Sequence, residues 1–265
     1  MKNSIILLIP HYNDPKGLYK SLASIEGSES LDVIIVDDGS IKKPNEEKCN
    51  DAYKANGEIY FIYLEENQGI EIAMNTGIDY AKNSYKYIAR LDCADIIKGN
   101  RFQKQYDFLE AHPDILIVGS HSNYVDMKGE VSFTQRNPLL PKEIQKKLYF
   151  NSTFVHPTIM FSTKILDYID GYPTTYPSAE DYALYMDLNS KGVKMANLDE
   201  ILLDTENNPD GISLSRRKDQ LKSRLRLIWK YFYFGYYPIM GLIRNSLIYI
   251  TPYSLLLQVK RLVKR

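Results

Sequence analysis

Apolar runs recur along the first half of this chain, separated by stretches whose apolar residues fall at helical spacing. Ile5–Ile9 carries no polar side chain, as suits a strand covered on both faces of a sheet. Leu31–Val36, Glu58–Leu64 and Tyr87–Leu91 read as three further strands. Between them, Asp14-Pro15 marks a helix start, with the Asp side chain capping and the Pro in the first turn. Ile70, Ala73, Met74, Gly77, Ile78 and Ala81 predict an amphipathic helix, and Arg101–Ala111 predicts another. Strand and helix alternating in this way predict an α/β fold: a Rossmann-like, mostly parallel central sheet with helices on both faces.

Beyond His112-Pro113 the alternation loosens. Ile115–Val118 reads as a strand, Gly129–Phe133 as a short edge strand, Lys142–Phe150 as a helix and Pro157–Phe161 as extended chain. Glu180–Ser190 predicts a helix closed by Lys191-Gly192, and residues 204–212 predict a loop. The chain thus divides into residues 1–112, residues 113–212 of the same domain, and a helical tail of residues 213–265. Within the tail, Tyr231–Ile243 is 13 residues without a charge, and Asn245–Val259 is a second such run, interrupted by Pro252. Neither reaches the ~20 apolar residues of a membrane span. Aromatic segments edged by Lys and Arg suit helices lying in a membrane interface; the same tail could instead pack on the body or serve a homodimer.

Composition sharpens the contrast between body and tail. The 265 residues are 44% hydrophobic and 25% charged, ordinary for a folded protein. Net charge is zero, yet residues 213–265 hold twelve Lys or Arg against the single Asp219, which leaves −11 on the rest. Such asymmetry points to a membrane surface as partner. The basic residues are mixed with Leu and Phe rather than set in a polar stripe, which argues against nucleic acid. Cys49 and Cys93 are too few for a disulfide scaffold, and His11, His112, His121 and His156 show no close metal-ligand spacing. Met1-Lys2 with Ile5–Ile9 is too short for a secretion signal and runs into Pro10-His11, so a cytoplasmic body is expected.

Two of the strands end in paired carboxylates: Val36-Asp37-Asp38-Gly39-Ser40 and Ala89-Arg90-Leu91-Asp92-Cys93-Ala94-Asp95. Ligands bind at the carboxyl ends of parallel strands. Acid groups there can hold a base or ribose, or a phosphate through a divalent cation. Each piece alone also fits an ordinary turn, with Gly39 at positive φ. Likewise, Asn67-Gln68-Gly69 before a helix lets backbone approach a phosphate, while Glu180-Asp181 at a helix start could simply complement the helix dipole.

In combination the pieces are more specific. Ile9-Pro10-His11-Tyr12-Asn13, Val36–Ser40, Asn67-Gln68-Gly69 with Asn75-Thr76-Gly77-Ile78, and Ala89–Asp95 resemble the nucleotide-sugar half of inverting glycosyltransferase family 2, bacterial surface-glycan type. Val155-His156-Pro157-Thr158 and Ala179-Glu180-Asp181-Tyr182 resemble its acceptor half, so the likeness covers roughly residues 4–213. It implies a GT-A fold, a nucleotide-diphosphate sugar donor (a UDP-sugar first of all) and a Mn2+ or Mg2+ ion. Carried over, Asp38 meets the nucleobase in a pocket lined by Pro10 and Tyr12. Asn13, Asn67, Gly69, Asn75, Arg90, Asp92 and Cys93 complete the donor side, Asp181 with Glu180 beside it is the general base, and His156 belongs to the acceptor side. An acceptor hydroxyl attacking an anomeric carbon must lose its proton, which a carboxylate can take.

Two departures bear on activity. Asp92 opens the family's Asp-x-Asp element, but its second Asp falls on Ala94, whose methyl offers a hard cation no oxygen; Asp95 or Asp92 would have to compensate. Thr205-Glu206-Asn207-Asn208-Pro209 stands where the family often has Tyr-Arg-x-His. Ala94 is read as a natural metal-poor variation, an introduced inactivation, or the mark of a protein that binds donor without turnover. Trp229 lacks the Gln-x-x-Arg-Trp context of polymer-forming members, so transfer of a single sugar is expected. The reading is a glycosyltransferase acting on a glycan or lipid-linked glycan at the cytoplasmic membrane face, as in capsule or lipopolysaccharide assembly. The alternative is an impaired nucleotide-sugar binding or scaffolding subunit. A nucleotidyltransferase is disfavoured, since Pro10–Asp14 is followed by only Lys16 and no basic, Gly-rich loop.

Overall fold

The structure, a computed structural model, describes residues 3–126, 128–206 and 216–252. Strands β1 (Ile5–His11), β2 (Asp32–Asp37), β3 (Ile59–Tyr63) and β4 (Tyr87–Arg90) lie side by side in the order β3-β2-β1-β4, all parallel. Helices α1 (Pro15–Ala23), α2 (Glu46–Ala52) and α3 (Ile70–Ala81) make the crossovers. Alternate strand residues enter opposite cores. Ile6, Leu8, Ile34 and Val36 pack with Ala73 and Met74 of α3, whereas Leu7, Ile9, Val33 and Ile35 pack with Leu18 and Leu22 of α1. Burial on both faces is why these runs lack the polar alternation of a half-wet strand.

The sheet continues without a break into the second half. There lie β5 (Ile96–Ile97), α4 (Arg101–Ala111), β6 (Ile115–Val125), β7 (Val131–Gln135), α5 (Pro141–Lys147), β8 (Met160–Ser162), α6 (Glu180–Ser190) and β9 (Lys194–Glu206). β8 runs antiparallel between β4 and β6, while β9 is parallel to β6 and antiparallel to β5. β4 and β5 are far apart in the strand order yet joined by only the five residues from Leu91 to Asp95. The sheet therefore curls, and the acidic turn bridges the mouth of the curl.

Three expectations shift against this architecture. Extended chain expected over Pro157–Phe161 begins with a 3-10 turn at His156–Thr158, and β8 follows it. The loop expected over 204–212 starts later, because β9 pairs with β6 as far as Glu206; residues 207–212, with Asn208 and Pro209, lie outside the described residues. β6 extends well past Val118, with β7 along its far portion as an exposed edge.

The described part of the tail is a helical hairpin, α7 (Arg217–Lys230) and α8 (Tyr236–Ile250). Arg217 at the start of α7 donates from Nη2 to the Ile248 carbonyl near the end of α8 at 2.8 Å, so the two run antiparallel. Among the described residues no helix is long and apolar enough to cross a membrane.

Candidate active site

The carboxyl ends of β1, β2 and β4 lie together because the three strands are parallel neighbours. At the β2 end the two Asp side chains part. Asp37 is fully buried, and its Oδ1 lies 2.6 Å from His11 Nδ1 across the strand pair, while Oδ2 accepts from Ser40 N at 3.1 Å. Asp38 points to the next crossover: its two oxygens accept the N–H groups of Gln68 (2.8 Å) and Gly69 (3.0 Å). That clamp fixes the loop entering α3. Gly39, the residue after Asp38, has φ +66°, and a Cβ there would stand 2.2 Å from the Glu66 carbonyl carbon, so the turn admits only glycine. Asp38 thus shapes the pocket expected for a nucleobase, with Tyr12 half exposed beside it and Asn13 Oδ1 accepting from Lys42 N at 2.9 Å.

At the β4 end, Arg90 is buried and its guanidinium pairs with Asp92 Oδ1 at 2.9 Å. Burial alone would lower the Arg90 pKa, but Asp92, Tyr172 and Glu180 outweigh it and raise it. Ser21 of α1 donates to the carbonyls of both Asp95 (2.8 Å) and Asp92 (3.2 Å), pinning the turn from below. Asp95 Oδ1 accepts Glu206 N at 3.2 Å, while Oδ2 is buried without a hydrogen-bond partner. Burial and the nearby Asp92 hold the Asp95 carboxyl well above the usual range. Arg101, wholly buried and within the field of Asp95, is pushed down to about 9 by burial.

Across the cleft, Glu180 and Asp181 open α6. Burial, and then the charge of Asp181, raise Glu180 to about 7. Burial also raises Asp181, against the Tyr182 N–H that its Oδ1 accepts at 2.6 Å and the charges of Arg224 and Arg90. Arg90 therefore sits in the field of both carboxylate groups and links the donor-side turn to the α6 start. Asn75 holds the loop between them: its side chain donates to the Tyr172 carbonyl at 3.0 Å and accepts Tyr172 N at 2.7 Å. His156, expected on the acceptor side, is buried with Nδ1 2.6 Å from the Tyr185 hydroxyl and Nε2 3.0 Å from that of Tyr172. It offers no open nitrogen, and braces Tyr172 instead.

Three residues other than glycine take left-handed φ among the described residues: Asn13 (56°), Ala94 (73°) and Ser178 (57°). Each lies in one of these three site loops, and strained backbone of this kind gathers at functional sites.

The family comparison agrees with this geometry. A family model described as "Glycosyl transferase family 2" matches residues 6–169. The chain belongs to glycosyl transferase family 2. Among curated relatives of this glycosyltransferase, an Erwinia amylovora amylovoran biosynthesis glycosyltransferase, AmsE, is 25% identical over 228 residues, covering 84% of this chain and 83% of the relative. An Escherichia coli UDP-Gal:alpha-D-GlcNAc-diphosphoundecaprenol beta-1,3-galactosyltransferase is 27% identical over 206 residues, covering 77% and 73%. The solved structure of S. aureus TarS 1-349 with UDP-GlcNAc superposes with a TM-score of 0.63 at 18% identity, over 91% of this chain and 70% of that one. At that identity the likeness shows the fold, which is the GT-A fold.

A divalent cation is implied by the family, and the residues present fit one poorly. Asp92 is engaged by Arg90, Asp95 is buried and held toward its neutral form, and Ala94 between them supplies a methyl. Among the described residues, no group of three or more His, Cys, Asp or Glu is placed to hold a metal ion. Cys93, half-buried, contacts the Pro10 carbonyl at 3.6 Å, and burial, then the charges of Asp14, Asp92 and Asp95, push its thiol well up.

Sequence reasoning missed Arg224, Tyr172 and Tyr124. Arg224 of α7 lies over the Tyr182 ring, 5.1 Å from its centroid, and its charge reaches Asp181. Tyr124 of β6 stands in the field of Asp95, Asp181 and Asp92 and stacks on Phe133 of β7 at 4.5 Å. Arg224 was hidden among the tail's many cations, and Tyr124 by the underestimated length of β6.

Proposed function

We propose that this glycosyltransferase transfers one sugar from a UDP-sugar to a glycan or lipid-linked glycan with inversion, and that Asp181 is its general base. The juxtaposition across Arg90 supports this most: a donor-side turn, Asp92–Asp95, faces a carboxylate pair at the start of α6. The donor diphosphate lies along the Asp92 turn, and the base in the pocket under Asp38. The acceptor enters between Glu180-Asp181 and the Tyr124–Phe133 stack, whose aromatic faces suit the apolar side of a sugar ring. Its hydroxyl oxygen forms a bond to the anomeric carbon from the side opposite the leaving group. The bond to the phosphate oxygen breaks with its electron pair, and the hydroxyl proton passes to Asp181. Desolvation makes Asp181 a stronger base than a free carboxylate, which favours that transfer.

The relative that is named for an undecaprenol-diphosphate acceptor supports a lipid-linked acceptor here, met at the cytoplasmic membrane face. Asp181→Asn tests the base directly: turnover falls about 10²–10⁴-fold while the thermal shift given by UDP is retained. Equal loss of both would sink the base assignment. A second reading, donor binding without turnover, is favoured by Ala94 and by Asn208 in the sequence; a wild-type chain with no turnover on any acceptor, yet a full UDP shift, would establish it.

A further inference from the structure

Of the two hairpin helices, α7 turns Leu221, Leu227 and Ile228 into the body, but α8 is built inside out. On α8 the residues that face the body are Pro238, Gly241 and Asn245, all buried. Gly241 lies so close that a Cβ would stand 2.3 Å from the Tyr149 carbonyl oxygen, and Asn245 Nδ2 donates to the Gly241 carbonyl at 2.8 Å. The opposite side is apolar and bare. Tyr236, Ile239, Met240, Ile243, Leu247 and Ile250 recur at three- and four-residue steps and are all exposed, Ile250 to 71%. A helix of a soluble domain turns that stripe inward. The turn between the helices adds Trp229 at 69% and Phe234 at 95% exposure.

Charge completes the surface. Lys218, Lys222, Arg226 and Lys230 follow one another every fourth residue along α7, all exposed, and Asp219 is the hairpin's single acid against eight Lys or Arg over residues 216–252. At 15 residues, α8 is about 22 Å long, too short to cross a bilayer and the right form to lie in its surface.

We propose that the hairpin is a docking surface for an anionic lipid bilayer, with the outer stripe of α8 and the aromatic turn sunk to the headgroup boundary and the α7 cations against the lipid charges. This deepens the membrane-presented acceptor proposed above, and rests on that reading only for its purpose. The charge decides between occupants: a two-fold contact of hairpin on hairpin would set two strongly basic surfaces together, whereas an anionic membrane neutralises them. The hairpin also adjoins the α6 start, through Ser223 Oγ donating to the Pro177 carbonyl at 3.1 Å. Docking would hold the acceptor cleft near the lipid plane.

Co-sedimentation of the full chain with vesicles tests this. The chain should pellet with phosphatidylcholine vesicles that carry about 30 mol% phosphatidylglycerol, about tenfold less with phosphatidylcholine alone, and less again at high salt. The double variant Ile243→Asp/Leu247→Asp and the charge reversal Lys218→Glu/Lys222→Glu should each lower binding about tenfold. An unchanged UDP thermal shift in both variants reports an intact fold and donor site. Failure of the wild type to pellet, or binding indifferent to both variants, overturns the proposal while leaving the transferase reading in place. A concentration-dependent dimer, abolished by Ile243→Asp/Leu247→Asp with no vesicle binding by the wild type, would overturn it in favour of a second copy.

Discussion

At position 94 the backbone has φ +73°, a conformation that costs an alanine about 1 kcal/mol and in which Asp and Asn are enriched. The turn would therefore accept, with no added backbone strain, the Asp that the family resemblance implies at this position. Ala94→Asp should fold with an unchanged or higher Tm. It should also make UDP binding responsive to Mn2+ and sensitive to EDTA, measured by thermal shift; the wild type should show little of either. No new metal response in the variant would mean that position 94 is not what limits cation binding. Glu180 gives a second test at this scale. Its carboxyl stays protonated to about 7 in the folded chain against 4.5 in the reference state. The folded protein thus holds a proton that the unfolded one has released, and stability falls as pH rises through that window. Glu180→Gln should remove that fall and leave the variant about 1–3 kcal/mol more stable than wild type at pH 8, with no gain at pH 4. Denaturant titration at the two pH values checks it. Such residues were legible to different degrees. Asp14 was readable as a cap because its partner, Gly17 N, is three residues away. The His11–Asp37 pair, 26 residues apart, became visible only when β1 and β2 were placed in register.

Helix α1 could be placed from sequence because Asp14 caps it, and α3 because its apolar residues fall at helical spacing; α6, buried on nearly all sides, was marked instead by its acidic first turn and by the Lys191-Gly192 stop. β9 could not. Its middle carries Asp199 and Glu200, its pairing with β6 slips repeatedly between Ile115 and Asn123, and its far end is held by β5, so nothing local marks it as one strand. The tail helices showed their composition but not their orientation; that the apolar side of α8 faces outward follows from a glycine and an asparagine that contact Tyr149 and Phe150. Gly241→Ala should accordingly loosen α8 from the body, by about 1–3 kcal/mol of local stability, with the β-sheet unaffected. Hydrogen exchange of α8 amides, faster in the variant while β1 and β2 amides stay protected, is the measurement; equal protection throughout would show that the helix docks by other contacts.

On the scale of the whole molecule, one curled sheet carries the loops proposed to hold the donor on β1, β2 and β4 and then returns through β8, β6 and β9 beneath the proposed acceptor side. Donor affinity should therefore survive loss of the hairpin, while turnover should not. A chain ended at residue 215 should keep its UDP thermal shift and lose at least about tenfold in kcat even on a water-soluble acceptor, because Ser223 and Arg224 would no longer pack on residues 177–182 and hold the start of α6 in place. Full kcat in the truncated chain would confine the hairpin to localisation. The packing of Ser223 and Arg224 on residues 177–182 has a practical side as well. The sticky segment that a biochemist would trim to keep the enzyme in solution is also one wall of the cleft. Solubility is better sought by recolouring the outer stripe of α8, at Ile243 and Leu247, than by cutting the wall away.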